Sequence, residues 1–138
     1  MKRRIIPDIV NNQSIYSLTP DSTVLEASKA MATRDVGALV ILGEDGLLAG
    51  ILTERDVTRR VVAKGKDPKK VTIADIMTQN PDTIGPDDSA LEALEIMRDR
   101  HYRHLPVVEE GGRVIGMVSV RDLYEVMKEE LEASIRET

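Results

Sequence analysis

The chain contains no cysteine, no tryptophan and no phenylalanine, and it has only three tyrosines and two histidines. The lack of cysteine excludes disulfides and thiolate chemistry. The scarcity of aromatic rings counts against single-stranded nucleic acid as a partner, because such binders need platforms on which the bases stack. The two histidines, His101 and His104, have no cluster of further metal ligands around them in the sequence, so we predict no metal site.

Long apolar runs are missing as well. No stretch approaches the roughly 18 residues of a membrane-spanning helix. Pro7 and Asp8 interrupt the segment after the basic start of the chain, so we expect no secretory signal. Both observations and the lack of cysteine favour a cytoplasmic location. Nucleophile-elbow and phosphate-loop motifs are also lacking, and for that reason we expect no enzymatic activity.

Negative charge is in excess, but it is unevenly distributed along the 138 residues, whose net charge is −5. Residues 1–66 hold ten Lys and Arg against eight Asp and Glu, whereas residues 67–138 hold nine against sixteen. A broad nucleic-acid surface needs clustered positive charge, and the acidic second part disfavours one. A small anionic ligand remains compatible with basic residues placed at one motif.

That motif occurs twice. Residues 50–56 and 116–122 share the order Gly, two apolar residues, a hydroxyl residue, any residue, Arg and Asp. The pattern predicts the end of a buried strand followed by an N-capped helix. Such a junction offers backbone N–H groups and the positive end of a helix dipole to a phosphate, while the aspartate can accept ribose hydroxyls. The alternative is that the hydroxyl only caps the helix and that the Arg–Asp pair is an ordinary surface pair.

The duplication extends over most of the chain. An offset of 66 residues aligns residues 17–57 with residues 83–123 without a gap, and before residue 17 the register shifts by one. Identical pairs at this offset include Pro20/Pro86, Asp21/Asp87, Leu25/Leu91, Glu26/Glu92, Ala27/Ala93, Met31/Met97, Leu39/Leu105 and Gly46/Gly112. A repeat of about 60 residues is marginal alone, so we expect each copy to need the other for its core.

Each repeat has the pattern of a β-α-β-β-α unit, an α/β fold with a small mixed sheet. In the first repeat we predict a strand at 15–18, a helix from Thr23 to about Asp35, and strands at 37–42 and 47–52. A helix at 54–64 follows, with Val57, Val61 and Val62 inward, and Gly65 ends it. In the second we predict a short helix at 71–77, a strand at 83–84, a helix from Ser89, strands at 103–108 and 114–118, and a last helix from 120. We expect the lead-in, residues 1–12, to pack on the second repeat.

Together these motifs resemble a pair of cystathionine-β-synthase (CBS) domains. The similarity lies in the doubled motif, in residues 103–108 (Arg-His-Leu-Pro-Val-Val) and in residues 75–78 (Asp-Ile-Met-Thr), and it covers roughly residues 8–131. It implies CBS repeat 1 at 8–65, a linker at 66–74 and CBS repeat 2 at 75–131, packed as a pseudo-two-fold pair. It also implies a regulatory, or Bateman, module with two inter-repeat clefts for adenosine compounds.

The resemblance further implies which residues hold the ligand. Asp122 in one cleft and Asp56 in the other would bind the ribose. The hydroxyl three residues before each would face phosphate or ribose, and the arginine directly before each would lie near phosphate. The preferred cleft takes Ile15, Tyr16, Gly37, Ala38, Arg103, His104, Ser119, Arg121 and Asp122. The second cleft takes Thr53, Arg55, Asp56, Thr78, Pro81 and Asp82. Arg103 and His104 supply cationic and donor groups that Gly37 and Ala38 lack, which favours the Asp122 cleft for phosphate.

The function that follows is a stand-alone sensor of energy state or metabolites. It would bind AMP, ADP or ATP as a regulatory ligand rather than a catalytic cofactor, and act on a protein partner in trans. We also expect a homodimer, because two helix faces are apolar, Val57/Val61/Val62 and Leu123/Met127/Leu131. Three alternatives stay open: a ligand-free structural or dimerisation module, an S-adenosylmethionine site, and single-stranded nucleic acid in the same clefts.

Overall fold

The computed structural model describes residues 3–11 and 13–137, which fall into two compact units. We call Tyr16–Pro81 the contiguous unit, and Met1–Ile15 with Asp82–Thr138 the two-segment unit. Met1, Lys2 and Asn12, which belong to the predicted lead-in, lie outside the described residues, as does Thr138. Within the described residues, no helix is both long and apolar enough to cross a membrane.

The contiguous unit is a mixed sheet with helices. Its elements are β1 (Ser17–Leu18), α1 (Val24–Arg34), β2 (Ala38–Leu42), β3 (Leu48–Thr53), α2 (Glu54–Val57), a π-helical turn (Thr58–Val62), α3 (Ile73–Ile76) and β4 (Thr78–Gln79). The strand order is β1-β2-β3-β4, with β1 parallel to β2 and the other two pairs antiparallel. Leu52, Val61 and Ile73 are fully buried in its core.

The two-segment unit repeats this plan in reduced form. It contains a π-helical turn (Ile5–Ile9), α4 (Ala90–Arg100), β5 (His104–Val108), β6 (Val114–Ser119) and α5 (Val120–Glu137). β5 and β6 are antiparallel, and Ile84 forms one parallel bridge with Val107. Ile5, Leu105 and Leu123 are fully buried in its core. The α/β fold of each repeat is therefore as predicted.

The first helix of each repeat begins and ends at equivalent residues. Thr23 and Ser89 are the N-caps, and their hydroxyls accept the N–H groups of Glu26 and Glu92. The helices end at residues in the left-handed conformation, Asp35 with φ 54° and His101 with φ 60°. The residues buried at helical spacing are Val24, Ala27 and Met31 in α1 and Ala90, Ala93 and Met97 in α4. The prediction of a helix between Thr23 and Asp35 is confirmed.

Each unit includes the segment that precedes the other repeat in the sequence. In the two-segment unit, Ile5 N–H donates to the Asp88 carbonyl at 2.8 Å, and Ala90 N–H donates to the Arg3 carbonyl at 2.8 Å. In the contiguous unit, Ile73 N–H donates to the Ser22 carbonyl at 2.9 Å, and Val24 N–H donates to the Val71 carbonyl at 2.9 Å. Ser22 and Asp88 are equivalent at the offset of 66, as are Val24 and Ala90. The described part of the lead-in thus packs on the second repeat, as expected.

The structure differs from the prediction in the extent of some elements and in the burial of some residues. The helix predicted at 54–64 is α-helical only to Val57 and then widens to π-type spacing, with Ala63 N–H bonded to the Thr58 carbonyl. Val62 does not face inward, since it is 68% exposed. The strand predicted at 83–84 is reduced to the single bridge of Ile84. Val61 and Leu123, which were assigned to the apolar helix faces of the predicted dimer, are both fully buried by their own chain.

Candidate functional site

The doubled motif forms the same hydrogen-bonded junction in both units. Thr53 N–H donates to Asp56 Oδ2 at 3.0 Å, and Asp56 N–H donates back to Thr53 Oγ1 at 3.1 Å. Ser119 N–H donates to Asp122 Oδ2 at 2.8 Å, and Asp122 N–H donates back to Ser119 Oγ at 3.2 Å. Each pair is a reciprocal cap on the helix that follows. The capping interpretation of the motif is therefore correct, and it fixes both carboxylates at a strand-to-helix junction.

The residues at the start of the middle strand of each repeat hydrogen-bond to this junction and pair with it. Glu54 N–H donates to the Gly37 carbonyl at 3.0 Å, and Ala38 pairs with Thr53 across β2 and β3. In the two-segment unit, Val120 N–H donates to the Arg103 carbonyl at 2.9 Å, and His104 pairs with Ser119. The small pair, Gly37 and Ala38, thus adjoins the Thr53 junction, whereas the basic pair, Arg103 and His104, adjoins the Ser119 junction.

The two aspartates differ in what surrounds them. Arg60, one turn after Asp56, places Nε 4.0 Å from Asp56 Oδ1, and its Nη1 donates to the Ile76 carbonyl at 2.8 Å. The residue equivalent to Arg60 at the offset of 66 is Val126, which is buried. Both hydrogen bonds to the Asp122 carboxylate, from Ser119 N–H and Ser119 Oγ, end on Oδ2. A neighbouring cation therefore distinguishes the Asp56 carboxylate from that of Asp122.

The glycine that opens each motif allows another segment to approach β3 or β6. A Cβ on Gly50 would lie 2.6 Å from the carbonyl oxygen of Thr78 in β4. A Cβ on Gly116 would lie 2.7 Å from Oε1 of Gln13. The Gln13 amide bonds both backbone groups of Met117, accepting from its N–H at 2.8 Å and donating to its carbonyl at 3.1 Å. The Gln13 side chain therefore hydrogen-bonds to the backbone of β6, as the backbone of β4 does to β3.

The arginine that ends the first helix of each repeat contacts the residue before the first strand. Arg34 places its guanidinium carbon 3.6 Å from the ring centroid of Tyr16. Arg100, its equivalent, places Nε 3.4 Å from Asp82 Oδ2. Both Tyr16 and Asp82 belong to the predicted site, one in each set. Neither arginine was among the predicted site residues, although their identity at the offset of 66 was a signal in the sequence.

The predicted site residues are divided between the units. The contiguous unit holds Tyr16, Gly37, Ala38, Thr53, Arg55, Asp56, Thr78 and Pro81. The two-segment unit holds Ile15, Asp82, Arg103, His104, Ser119, Arg121 and Asp122. In the contiguous unit, Gly37 and Ala38 lie beside the Thr53 junction. Thr78 pairs with Ile51, which lies two residues before Thr53 in β3. Arg55, Arg103 and Arg121 are exposed. Arg60 was missed, although its spacing of four from Asp56 is typical of helix ion pairs.

Comparison with known proteins decides the family. The model of the CBS domain matches residues 6–63 and again residues 73–129. The chain belongs to the CBS-domain family. It is 42% identical over 109 residues to "CBS domain-containing protein CBSX3, mitochondrial" of Arabidopsis thaliana, covering 76% of this chain and 52% of that one. The chain thus spans about half the length of this CBS relative.

Solved CBS structures are similar over nearly the whole chain. A protein with CBS domains from Burkholderia ambifaria MC40-6 is 33% identical, with a TM-score of 0.82 over 88% of this chain and 92% of that chain. The CBS domain protein PAE2072 from Pyrobaculum aerophilum, solved in complex with AMP, is 28% identical, with a TM-score of 0.80 over 87% of this chain and 89% of that chain. The family resemblance inferred from the motifs is confirmed.

Proposed function

We propose that this CBS pair binds an adenine nucleotide (AMP, ADP or ATP) and acts as a sensor of energy state or of a metabolite. The observation that carries the proposal is the doubled junction, in which Asp56 and Asp122 are held in the same way at the start of a helix. The AMP complex of the Pyrobaculum aerophilum relative supports the choice of ligand class. Catalysis by this chain is not part of the proposal, and the nucleotide serves as a regulatory ligand.

Capping alone accounts for the hydroxyl and the aspartate of each motif, but not for the arginine between them. Arg55 and Arg121 are exposed on the first turn of α2 and α5. A cation in that position suits a phosphate, because charge-assisted hydrogen bonds to phosphate are stronger than neutral ones. The residues assigned to the two sites are those given from the family resemblance. The Asp122 set is preferred for phosphate because Arg103 and Arg121 both belong to it.

The test is calorimetric titration of the whole chain with AMP, ADP, ATP, S-adenosylmethionine and adenosine, together with a short single-stranded oligonucleotide. We expect saturable binding of at least one adenine nucleotide and a rise in melting temperature, since a ligand of the folded state stabilises it by RT ln(1 + [L]/Kd). Binding of S-adenosylmethionine or of the oligonucleotide alone would support those alternatives. A flat response to every compound at millimolar concentration would leave the structural or dimerisation module as the function.

A homodimer and a protein partner in trans complete the proposal. The long helix α5 exposes apolar side chains at helical spacing, with Tyr124 60% and Leu131 64% exposed. Exposed apolar stripes of this kind mark protein–protein interfaces, and a two-fold dimer is the commonest way to cover them. Since Leu123 is buried, the proposed contact face is Tyr124, Met127 and Leu131. A cytoplasmic location remains a prediction.

A further inference from the structure

We propose that Arg34 is an affinity-limiting residue that covers the ring of Tyr16 and is displaced when a purine base stacks there. The inference rests on the proposed nucleotide function. The guanidinium carbon of Arg34 lies 3.6 Å from the centroid of the Tyr16 ring. This is the separation at which a stacked group is in van der Waals contact, so a base and the guanidinium cannot share that ring face.

The surroundings of Tyr16 allow one face of the ring to change its occupant. Tyr16 is half-buried and packs against the core of the contiguous unit, which holds the ring in place. Arg34 is the last residue of α1, and its side chain is exposed. The helix end is fixed independently of that side chain, by the bonds of Asp35 N–H and Val36 N–H to the Met31 carbonyl. The guanidinium can therefore leave the ring without any change in the backbone.

The cost of displacement is small but measurable. A cation over an aromatic ring at an exposed site contributes about 0.5–1 kcal/mol. A ligand that must first displace it binds about two- to fivefold more weakly than it would to an uncovered ring. Base binding at Tyr16 is thereby weakened to a similar extent for every purine ligand, so Arg34 lowers the affinity without selecting among purines.

The second repeat provides a matched control. Arg100 occupies the equivalent helix end, but it contacts the carboxylate of Asp82, with Nε 3.4 Å from Oδ2. A carboxylate offers no face on which a base could stack. Arg34→Ala and Arg100→Ala therefore remove the same charge from equivalent positions, and only the first uncovers an aromatic ring.

The experiment measures adenosine binding and the position of the Arg34 side chain in the full chain. By calorimetry, Arg34→Ala should bind adenosine about two- to fivefold more tightly than the unmodified chain, and Arg100→Ala should not. Circular dichroism checks that both variants keep the native helix content. By NMR, the Arg34 Hδ protons should show an upfield ring-current shift that is absent in Tyr16→Leu and is lost when adenosine saturates the protein.

Two results would overturn the inference while leaving the nucleotide function intact. In one, adenosine binds but the ring-current shift of Arg34 persists in the complex. In the other, Arg34→Ala binds adenosine more weakly, which would make Arg34 a direct ligand contact. If the unmodified chain binds no adenosine and no adenine nucleotide, the proposed function itself fails and this inference fails with it. The absence of any binding heat distinguishes that case from the other two.

Discussion

Arg60 links Asp56 to the end of α3: its Nε lies 4.0 Å from Asp56 Oδ1, while its Nη1 donates to the Ile76 carbonyl at 2.8 Å. The Asp56 side chain is only 14% exposed, and Arg60 lies beside one of its two carboxylate oxygens. At Asp122 the equivalent position is the buried Val126. A ribose that bonds to Asp56 must therefore share its carboxylate with Arg60, and a ribose at Asp122 need not.

The first prediction is that Asp122→Ala weakens AMP binding more than Asp56→Ala does. Both substitutions remove a proposed ribose acceptor and the carboxylate that accepts the N–H of Thr53 or Ser119, so those losses are similar. The Asp122 set also includes Arg103 and Arg121, and a charge-assisted bond to phosphate contributes about 1.5–3 kcal/mol. We expect the two variants to differ about tenfold or more in Kd for AMP, and much less for adenosine. Calorimetry with both ligands measures this. Equal losses for AMP would mean that the phosphate site is assigned to the wrong repeat.

Substitution of Arg60 tests the cause of the asymmetry. In Arg60→Met the aliphatic stem is retained and the cation beside Asp56 is removed. We expect adenosine binding at the Asp56 site to strengthen, so that Asp56→Ala has a larger effect in the Arg60→Met background than alone. The comparison is a double-mutant cycle, which isolates the coupling between the two residues. Additive effects would show that Arg60 does not compete for the carboxylate.

The caps should contribute to stability even without ligand. Thr53→Ala and Ser119→Ala each remove a hydroxyl that accepts a helix N–H. Loss of such a cap costs about 0.5–2 kcal/mol. Thr33→Ala, at an exposed position inside α1, is the matched control and should leave stability nearly unchanged. Urea unfolding of the three variants measures the differences. A Thr33→Ala effect as large as the other two would contradict the capping interpretation.

The two motif glycines should tolerate alanine unequally. A Cβ at residue 50 would clash with the Thr78 backbone oxygen, which cannot move without breaking the β3–β4 pairing. A Cβ at residue 116 would clash only with the end of the flexible Gln13 side chain, since its contacts with Val107 are of ordinary length. We expect Gly50→Ala to destabilise the chain by about 1–3 kcal/mol and Gly116→Ala by less. Adding Gln13→Ala should relieve the remaining clash at residue 116. Thermal unfolding compares them, and a larger loss for Gly116→Ala would contradict the steric argument.

The proposed dimer should depend on α5. Leu131→Glu places a charge in the apolar stripe, and we expect it to convert a dimer into a monomer with unchanged helix content. Leu47→Glu is the control, because Leu47 is also an exposed apolar residue, at 42%, but lies in the contiguous unit and outside both helix faces predicted for the dimer. Sedimentation velocity at micromolar concentration gives the mass of each. A monomeric unmodified chain would rule the dimer out.

The sequence predicted the elements whose signals are local. The helices that start after Thr23 and Ser89 were predicted because the capping residue and the apolar stripe of each lie within a dozen consecutive residues. The capping alternative at Thr53 and Ser119 rested on the same kind of signal, and the reciprocal bonds to Asp56 and Asp122 bear it out.

Features that depend on long-range contacts could not be predicted in the same way. Gln13 reaches Met117, more than a hundred residues away, and no window of sequence shows this. Tyr16 was assigned to the preferred cleft, but its contact with Arg34 depends on how the end of α1 packs beside β1. Val62 was placed inward together with Val61, but consecutive residues of a helix point in different directions, and it is Val61 that is buried while Val62 is exposed.

The hydrogen bonds between residues 3–11 and residues 86–90 constrain the order in which the chain can fold during synthesis. Residues 3–11 leave the ribosome before residues 16–81, yet their hydrogen-bond partners Pro86 and Asp88 follow some eighty residues later. Tyr16–Pro81, by contrast, contains all of its own strands and can close as soon as it has emerged. Domains generally fold as units during translation. We therefore expect residues 16–81 to fold while residues 3–11 still lack their hydrogen-bond partners.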